Sequence, residues 1–156
     1  MIRFAEPADV PTLLALVREL AEYEHAADQV AASEAQLAEA LFGPKPAAEA
    51  LIAEQEGRAV GLALFFHNFS TWTGRRGLYL EDLYVQPEAR GAGIGKALLK
   101  RLAEIAVARG CARFEWAVLD WNRPAIDFYR AMGAEMMDEW RICRVTGDAL
   151  TALARR

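Results

Sequence analysis

The chain has 156 residues, 54% of them apolar, enough for one domain around one substantial core and too few for a second. A net charge of −4 and a pI near 5.3 run against a non-specific nucleic-acid binder, whose phosphate contacts need surplus Lys and Arg, and favour a small cationic substrate. No window approaches the roughly 20 apolar residues of a spanning helix, and residues 1–10 lack a signal-type apolar stretch, so a soluble, cytoplasmic protein without membrane partners is expected.

Residues 2–5 read as a short first strand. From Asp9, read as an N-cap, Val10, Leu13, Leu14, Val17 and Leu20 recur at helical spacing, and the helix runs to about Tyr23. Residues 33–41 read as a shorter helix stopped by Gly43-Pro44-Lys45-Pro46. The period then changes: residues 50–54 and 59–66, joined by Glu56-Gly57-Arg58, read as an antiparallel hairpin. Residues 68–77 read as a loop, 78–85 as a strand, 93–109 as a helix closed by Gly110, and 113–118 as an apolar, aromatic strand. A helix begins at Asn122 with Pro124 in its first turn, carries Ala125, Phe128, Tyr129 and Met132 on one face, and stops at Gly133. Residues 140–145 read as a strand that closes the sheet. This order predicts an α/β fold, a mixed sheet with helices on its faces, in a single domain over residues 1–156.

Cys111 and Cys143 stand in apolar surroundings without CxxC spacing and are expected to be buried thiols. His25 and His67 lack ligand spacing, so no metal is expected. The chemistry concentrates at Arg90-Gly91-Ala92-Gly93-Ile94-Gly95. A glycine-rich turn between a strand and a helix N-terminus makes an anion site, because free backbone N–H groups point outward and the helix dipole favours negative charge. Counting excludes two familiar versions. A Walker A loop ending at Gly95-Lys96 needs glycine at position 90 and Ser or Thr at 97, where the chain has Arg90 and Ala97. A dinucleotide fingerprint starting at Gly91 needs glycine or alanine where Lys96 stands. Arg90 adds a guanidinium partner for phosphate.

The loop and the preceding Leu80-Glu81-Asp82-Leu83-Tyr84-Val85 resemble the coenzyme A loop of the GNAT acetyltransferase superfamily. Glu22-Tyr23-Glu24, Tyr79-Leu80-Glu81-Asp82 and Trp121-Asn122-Arg123-Pro124-Ala125-Ile126-Asp127-Phe128-Tyr129 resemble its diamine (spermidine/spermine) branch. The resemblance implies the GNAT fold, acetyl-CoA as cosubstrate, no metal and a homodimer. It assigns Leu83, Tyr84 and Val85 to pantetheine and acetyl group, and Gly91, Ala92, Gly93, Ile94, Gly95 and Lys96, beside Arg90, to pyrophosphate. Asn122, Arg123, Pro124 and Ala125 complete the coenzyme A site, with Tyr129 by the sulfur. Tyr23, Glu24, Glu81, Glu115, Trp116 and Ala117 match substrate-contacting positions. Around Trp72 the chain carries one residue more than the family pattern.

Transfer to an amine needs a neutral nitrogen, and an alkyl ammonium has a pKa of about 10.4, so neutralising it near pH 7 costs roughly 4 to 5 kcal/mol. A proton acceptor at the nitrogen lowers that barrier. Glu81 and Asp82 are the acidic residues in reach, but a regular strand turns them to opposite faces and offers only one to the cleft; the resemblance chooses Glu81. Tyr129 is expected to protonate or hydrogen-bond the departing thiolate. Direct attack in a ternary complex needs no nucleophilic cysteine. The expected acceptor is a small diamine- or polyamine-like cation; the alternatives are a thialysine-like amino acid, a peptide lysine, or coenzyme A binding without turnover.

Overall fold

The computed structural model describes residues Met1–Arg156, which divide into two compact units, Met1–Ala117 and Val118–Arg156. The first unit holds a five-stranded sheet in sequential order: β1 (Ile2–Phe4), β2 (Glu49–Gln55), β3 (Arg58–Ser70), β4 (Arg75–Val85) and β5 (Phe114–Trp116). The first four strands pair antiparallel and β5 joins β4 in parallel, which makes the sheet mixed as expected. The β2–β3 turn places Glu56 and Gly57 at φ 54° and 75°, the paired positive values that a two-residue hairpin turn requires.

The expected loop at residues 68–77 is mostly strand. Asn68, Phe69 and Ser70 pair with Gly77, Arg76 and Arg75, so the true turn is four residues long, with Trp72 exposed in it. Polar composition suggested a loop, but ladder hydrogen bonds are made by the backbone and tolerate polar side chains on an exposed face.

Helix α1 (Val10–Tyr23) and helix α2 (Glu34–Phe42) cover one sheet face. Asp9 makes no side-chain cap for α1; its carboxylate instead accepts from Arg3 and from the Glu6 N–H. α2 begins with a capping box, Ser33 and Gln36 each accepting the other's backbone N–H. Leu13, Leu16 and Leu20 of α1 and Leu41 of α2 pack on Ile52, Leu62 and Tyr84. Alternate strand residues such as Leu51, Ala63 and Phe65 are buried too, on the opposite face. Helix α3 (Ile94–Ala108), with Leu98, Leu99, Leu102 and Ile105 buried, packs against β1 to β4 and closes that side.

The second unit contains α4 (Arg123–Ala131) and α5 (Gly147–Ala154), the latter unforeseen. Residues 140–145, expected to close the sheet, form no strand, and Trp140, Ile142 and Val145 are exposed. Alternating apolar residues give strand propensity, but a strand also needs a ladder partner, and this stretch has none within its own chain. Both cysteines depart from the buried expectation: Cys111 is half-buried near His67 and Cys143 is exposed.

Candidate active site

β3 and β4 pair residue for residue except at one point: Leu64 lies opposite Asp82 while Phe65 lies opposite Leu80, so Glu81 is an extra residue in β4. This β-bulge cancels the alternation that would have separated Glu81 from Asp82. Asp82 shares the face of Leu64, and Tyr79, opposite Phe66, shares it as well. It is the face on which α1 packs, and α1 ends at Tyr23 with Glu24 as its C-cap, which brings in a third carboxylate.

Electrostatic coupling records how close these groups lie. Burial, then the charges of Glu81 and Glu24, push the Asp82 carboxyl up to about 6. Burial also raises Glu24. The Tyr79 phenol is raised by burial, then by Glu81 and Glu115, and Glu115 sits beside Tyr79 across the β4–β5 pair. Glu24, Glu81, Asp82 and Glu115 therefore form one acidic patch, which attracts a cation and holds a carboxylate that changes charge near pH 6. Asp82 was one of the two candidate carboxylates in the sequence; that it lies together with Glu81 and not on the opposite face was not visible there, because a bulge is a property of pairing and no residue type here announces it. Trp116, by contrast, pairs with Leu80 and is turned to the other face, where its ring packs on Phe114 at 4.8 Å.

β5 accompanies β4 only from Leu78 to Leu80. Beyond that point the outer edge of β4 has no strand beside it, so alternate backbone groups along Leu83, Tyr84 and Val85 stand ready for strand-like hydrogen bonds to a ligand. The Val85 carbonyl already accepts from Arg90 Nε at 2.9 Å. The Arg90 guanidinium stands 5.4 Å from the Tyr23 ring centre and 5.7 Å from that of Tyr84. Arg90, expected chiefly as a phosphate partner, thus braces the start of the loop against β4 and α1.

Within the loop Gly91 and Gly93 have φ of 88° and 79°, left-handed values that side chains resist. Gly93 is the N-cap of α3 and supplies no side-chain cap, so the first-turn N–H groups of Ile94, Gly95 and Lys96 need partners from outside the helix. A Cβ built on Gly91 or Gly93 meets no protein atom within 4 Å. The glycines therefore line an open cradle at a helix N-terminus, which fits a pyrophosphate.

The remaining predicted residues lie in the second unit. Asn122, 6% exposed, caps α4 by accepting from the Ala125 N–H at 3.4 Å, with Arg123 and Pro124 in the first turn. Tyr129 is half-buried, its ring 5.6 Å from that of Phe128. The apolar face read for this helix is only partly correct, since Ile126 is its buried residue while Phe128 and Met132 are exposed.

Residues 13–134 match the model of the acetyltransferase (GNAT) family. A thialysine N-epsilon-acetyltransferase of Sus scrofa is 44% identical over 99% of this chain and 96% of its own. A spermidine/spermine N(1)-acetyltransferase-like protein of Homo sapiens is 36% identical over 98% of this chain and 23% of its own length. Among solved structures, an integron cassette protein from the mobile metagenome of V. cholerae superposes with a TM-score of 0.84 at 31% identity, covering 100% of this chain and 98% of that one. The chain belongs to the GNAT family, close to the spermidine/spermine branch, and is an acetyl-CoA-dependent N-acetyltransferase acting on amines.

Proposed function

We propose that this enzyme acetylates a primary amine of a small cationic molecule, diamine- or polyamine-like, by direct attack in a ternary complex. The observation that carries the reading is the β4 bulge, which sets Asp82 beside Glu81 and Glu24 next to a strand edge open for acetyl-CoA. In this reading Glu81 holds the ammonium and, with Asp82, takes its proton, while Glu24 and Tyr23 contact the rest of the substrate. Glu115 and the backbone of Trp116 and Ala117 complete its contacts. Acetyl-CoA supplies the thioester; Leu83, Tyr84 and Val85 orient its arm, the cradle from Gly91 to Lys96 binds its pyrophosphate, and Asn122, Arg123, Pro124 and Ala125 finish the site. Tyr129 gives a proton or a hydrogen bond to the leaving sulfur; a phenol near about 10 and a thiol near about 8.5 make full transfer roughly 2 kcal/mol uphill, so a hydrogen bond suffices. The family match crosses the boundary between the two units, which supports reading them as one catalytic domain.

Release of free thiol from acetyl-CoA, measured with diamines, polyamines, thialysine and a lysine peptide as acceptors, tests this. Turnover is expected with small amines and at least tenfold lower kcat/KM with the peptide. Saturable coenzyme A binding with no turnover on any amine would leave a binding module instead. We also propose that the enzyme is cytoplasmic and engages neither nucleic acid nor membrane; its negative net charge supports the first exclusion, and no helix is long and apolar enough to cross a membrane. A homodimer is proposed with them, supported by exposed Met137, Trp140, Ile142, Leu150 and Leu153 in the second unit. Light scattering is expected to give twice the chain mass.

A further inference from the structure

At the end of β4, Tyr84 lies opposite Leu62 on the face that α1 covers. The Gln86 N–H donates to the Val60 carbonyl at 2.8 Å, which carries the β3–β4 ladder one step further and turns Gln86 to the same face as Tyr84. Glu19 of α1 meets both. Its carboxylate accepts from the Tyr84 hydroxyl at 3.2 Å and from Gln86 Nε2 at 3.2 and 3.4 Å. The ion pairs of the molecule join Arg3 to Asp9 and Glu54, Arg101 to Glu104 and Arg109 to Glu49, so the charge of Glu19 is given to two neutral donors. Hydrogen bonds to an ionised acceptor are stronger than those between neutral groups. Burial, then the charge of Glu19, raise the Tyr84 phenol and keep it a proton donor.

Tyr23 lies one turn beyond Glu19 on the same side of α1, and its ring, with that of Tyr84, receives the Arg90 guanidinium. Tyr84 is thus held twice, through its hydroxyl by Glu19 and through its ring by Arg90. The chain between Gln86 and Arg90 is a single tight turn, in which the Ala89 and Arg90 N–H groups donate to the Gln86 and Pro87 carbonyls and Ala89 is buried. Gly91 follows at once and opens the glycine cradle. Little conformational freedom therefore separates Glu19 from the first-turn N–H groups of α3. A shift of Gln86 moves the start of the loop, and a shift of Tyr84 moves both the open strand edge and the ring beneath Arg90. The same helix ends in Tyr23 and Glu24, beside the acidic patch. Glu19 stands where these three parts meet.

We propose that Glu19 is a positioning residue of the acetyltransferase: through Tyr84 and Gln86 it holds the β4 edge and the start of the glycine loop in register with the amine-contacting side chains of α1. The proposal rests on the reading of that edge and loop as the coenzyme A site. Its test compares Glu19→Ala, Glu19→Gln, Tyr84→Phe and the double variant Glu19→Ala/Tyr84→Phe in steady-state kinetics with the best acceptor of the amine panel, and in coenzyme A binding by calorimetry, with Gly93→Val as a loop control. Glu19→Ala is expected to raise KM for acetyl-CoA about tenfold and KM for the amine about threefold, as loss of hydrogen bonds to a charged acceptor would, with kcat changed less than about threefold. Glu19→Gln keeps one acceptor oxygen and should recover part of both losses. Because the Tyr84 hydroxyl acts through the same contact, the double variant should bind acetyl-CoA about as well as Glu19→Ala alone. A residue that served folding only would lower the melting temperature and leave both KM values at the wild-type level. That result, with Gly93→Val impaired in coenzyme A binding, overturns the positioning role alone, as does a double variant in which the two KM effects multiply. Wild-type coenzyme A affinity in both Glu19→Ala and Gly93→Val removes the reading of the coenzyme A site as well.

Discussion

Asp82→Asn is expected to lower kcat by about 10²-fold or more near neutral pH, the range in which removal of a positioned general base falls. The wild-type rate should rise with pH through an acid limb centred near 6, because the carboxylate must be ionised to take a proton and its pKa is pushed up to about 6. In the Asn variant that limb disappears. Glu81→Gln separates the two carboxylates. It removes a negative neighbour of Asp82, which eases ionisation, so the acid limb moves to lower pH while KM for the amine rises. Glu24 at the end of α1 acts on Asp82 in the same sense, whereas Glu115 acts on Tyr79 and not on Asp82 itself. A pH profile of Glu81→Gln that keeps its acid limb in place would return the proton acceptor to a group other than Asp82.

The same carboxylate leaves a mark on stability, of opposite sign. Its folded pKa lies above the unfolded value of 3.8, so the folded state binds the proton more tightly. The stabilisation this brings is complete below about pH 4 and is lost as pH rises through about 6. At about 1.4 kcal/mol per pH unit, the ionised group above that range leaves the fold about 3 kcal/mol less stable than it would be without the shift. Asp82→Asn should therefore be more resistant to denaturant near neutral pH and less active. A residue held where it weakens the fold is the pattern expected of a catalytic group.

Much of this was legible in the chain, and what was not has an identifiable physical reason. Val10 to Leu20 at helical spacing, the Gly43-Pro44 stop after the second helix and the Glu56-Gly57 turn are local signals, and each produced its element with boundaries displaced by only a few residues. The glycine loop was equally plain, since its residues act through backbone conformation that glycine alone adopts freely. The bulge at Glu81 was not, because it depends on which residue of β3 lies opposite, and with it went the choice between Glu81 and Asp82. The same limit explains residues 68–77, whose polar side chains concealed a long paired hairpin, and residues 140–145, whose apolar alternation promised a strand that has no partner.

Gly93→Val addresses the other half of the site. At φ 79° a β-branched residue is strained by about 1 to 3 kcal/mol, and its methyl groups project into space that no protein atom fills. If that space belongs to the pyrophosphate, coenzyme A binding should weaken by about 10²-fold or more, since the side chain blocks close approach to the first-turn N–H groups of α3. Strain alone would do less, and Gly110→Val isolates it. Gly110, just past the other end of α3, has φ 73° and likewise nothing within 4 Å of a built Cβ. Both variants should melt at lower temperature by similar amounts, and only Gly93→Val should lose coenzyme A affinity measured by calorimetry. Equal affinity in the two would mean that the glycines serve the turn and that the phosphates are held elsewhere.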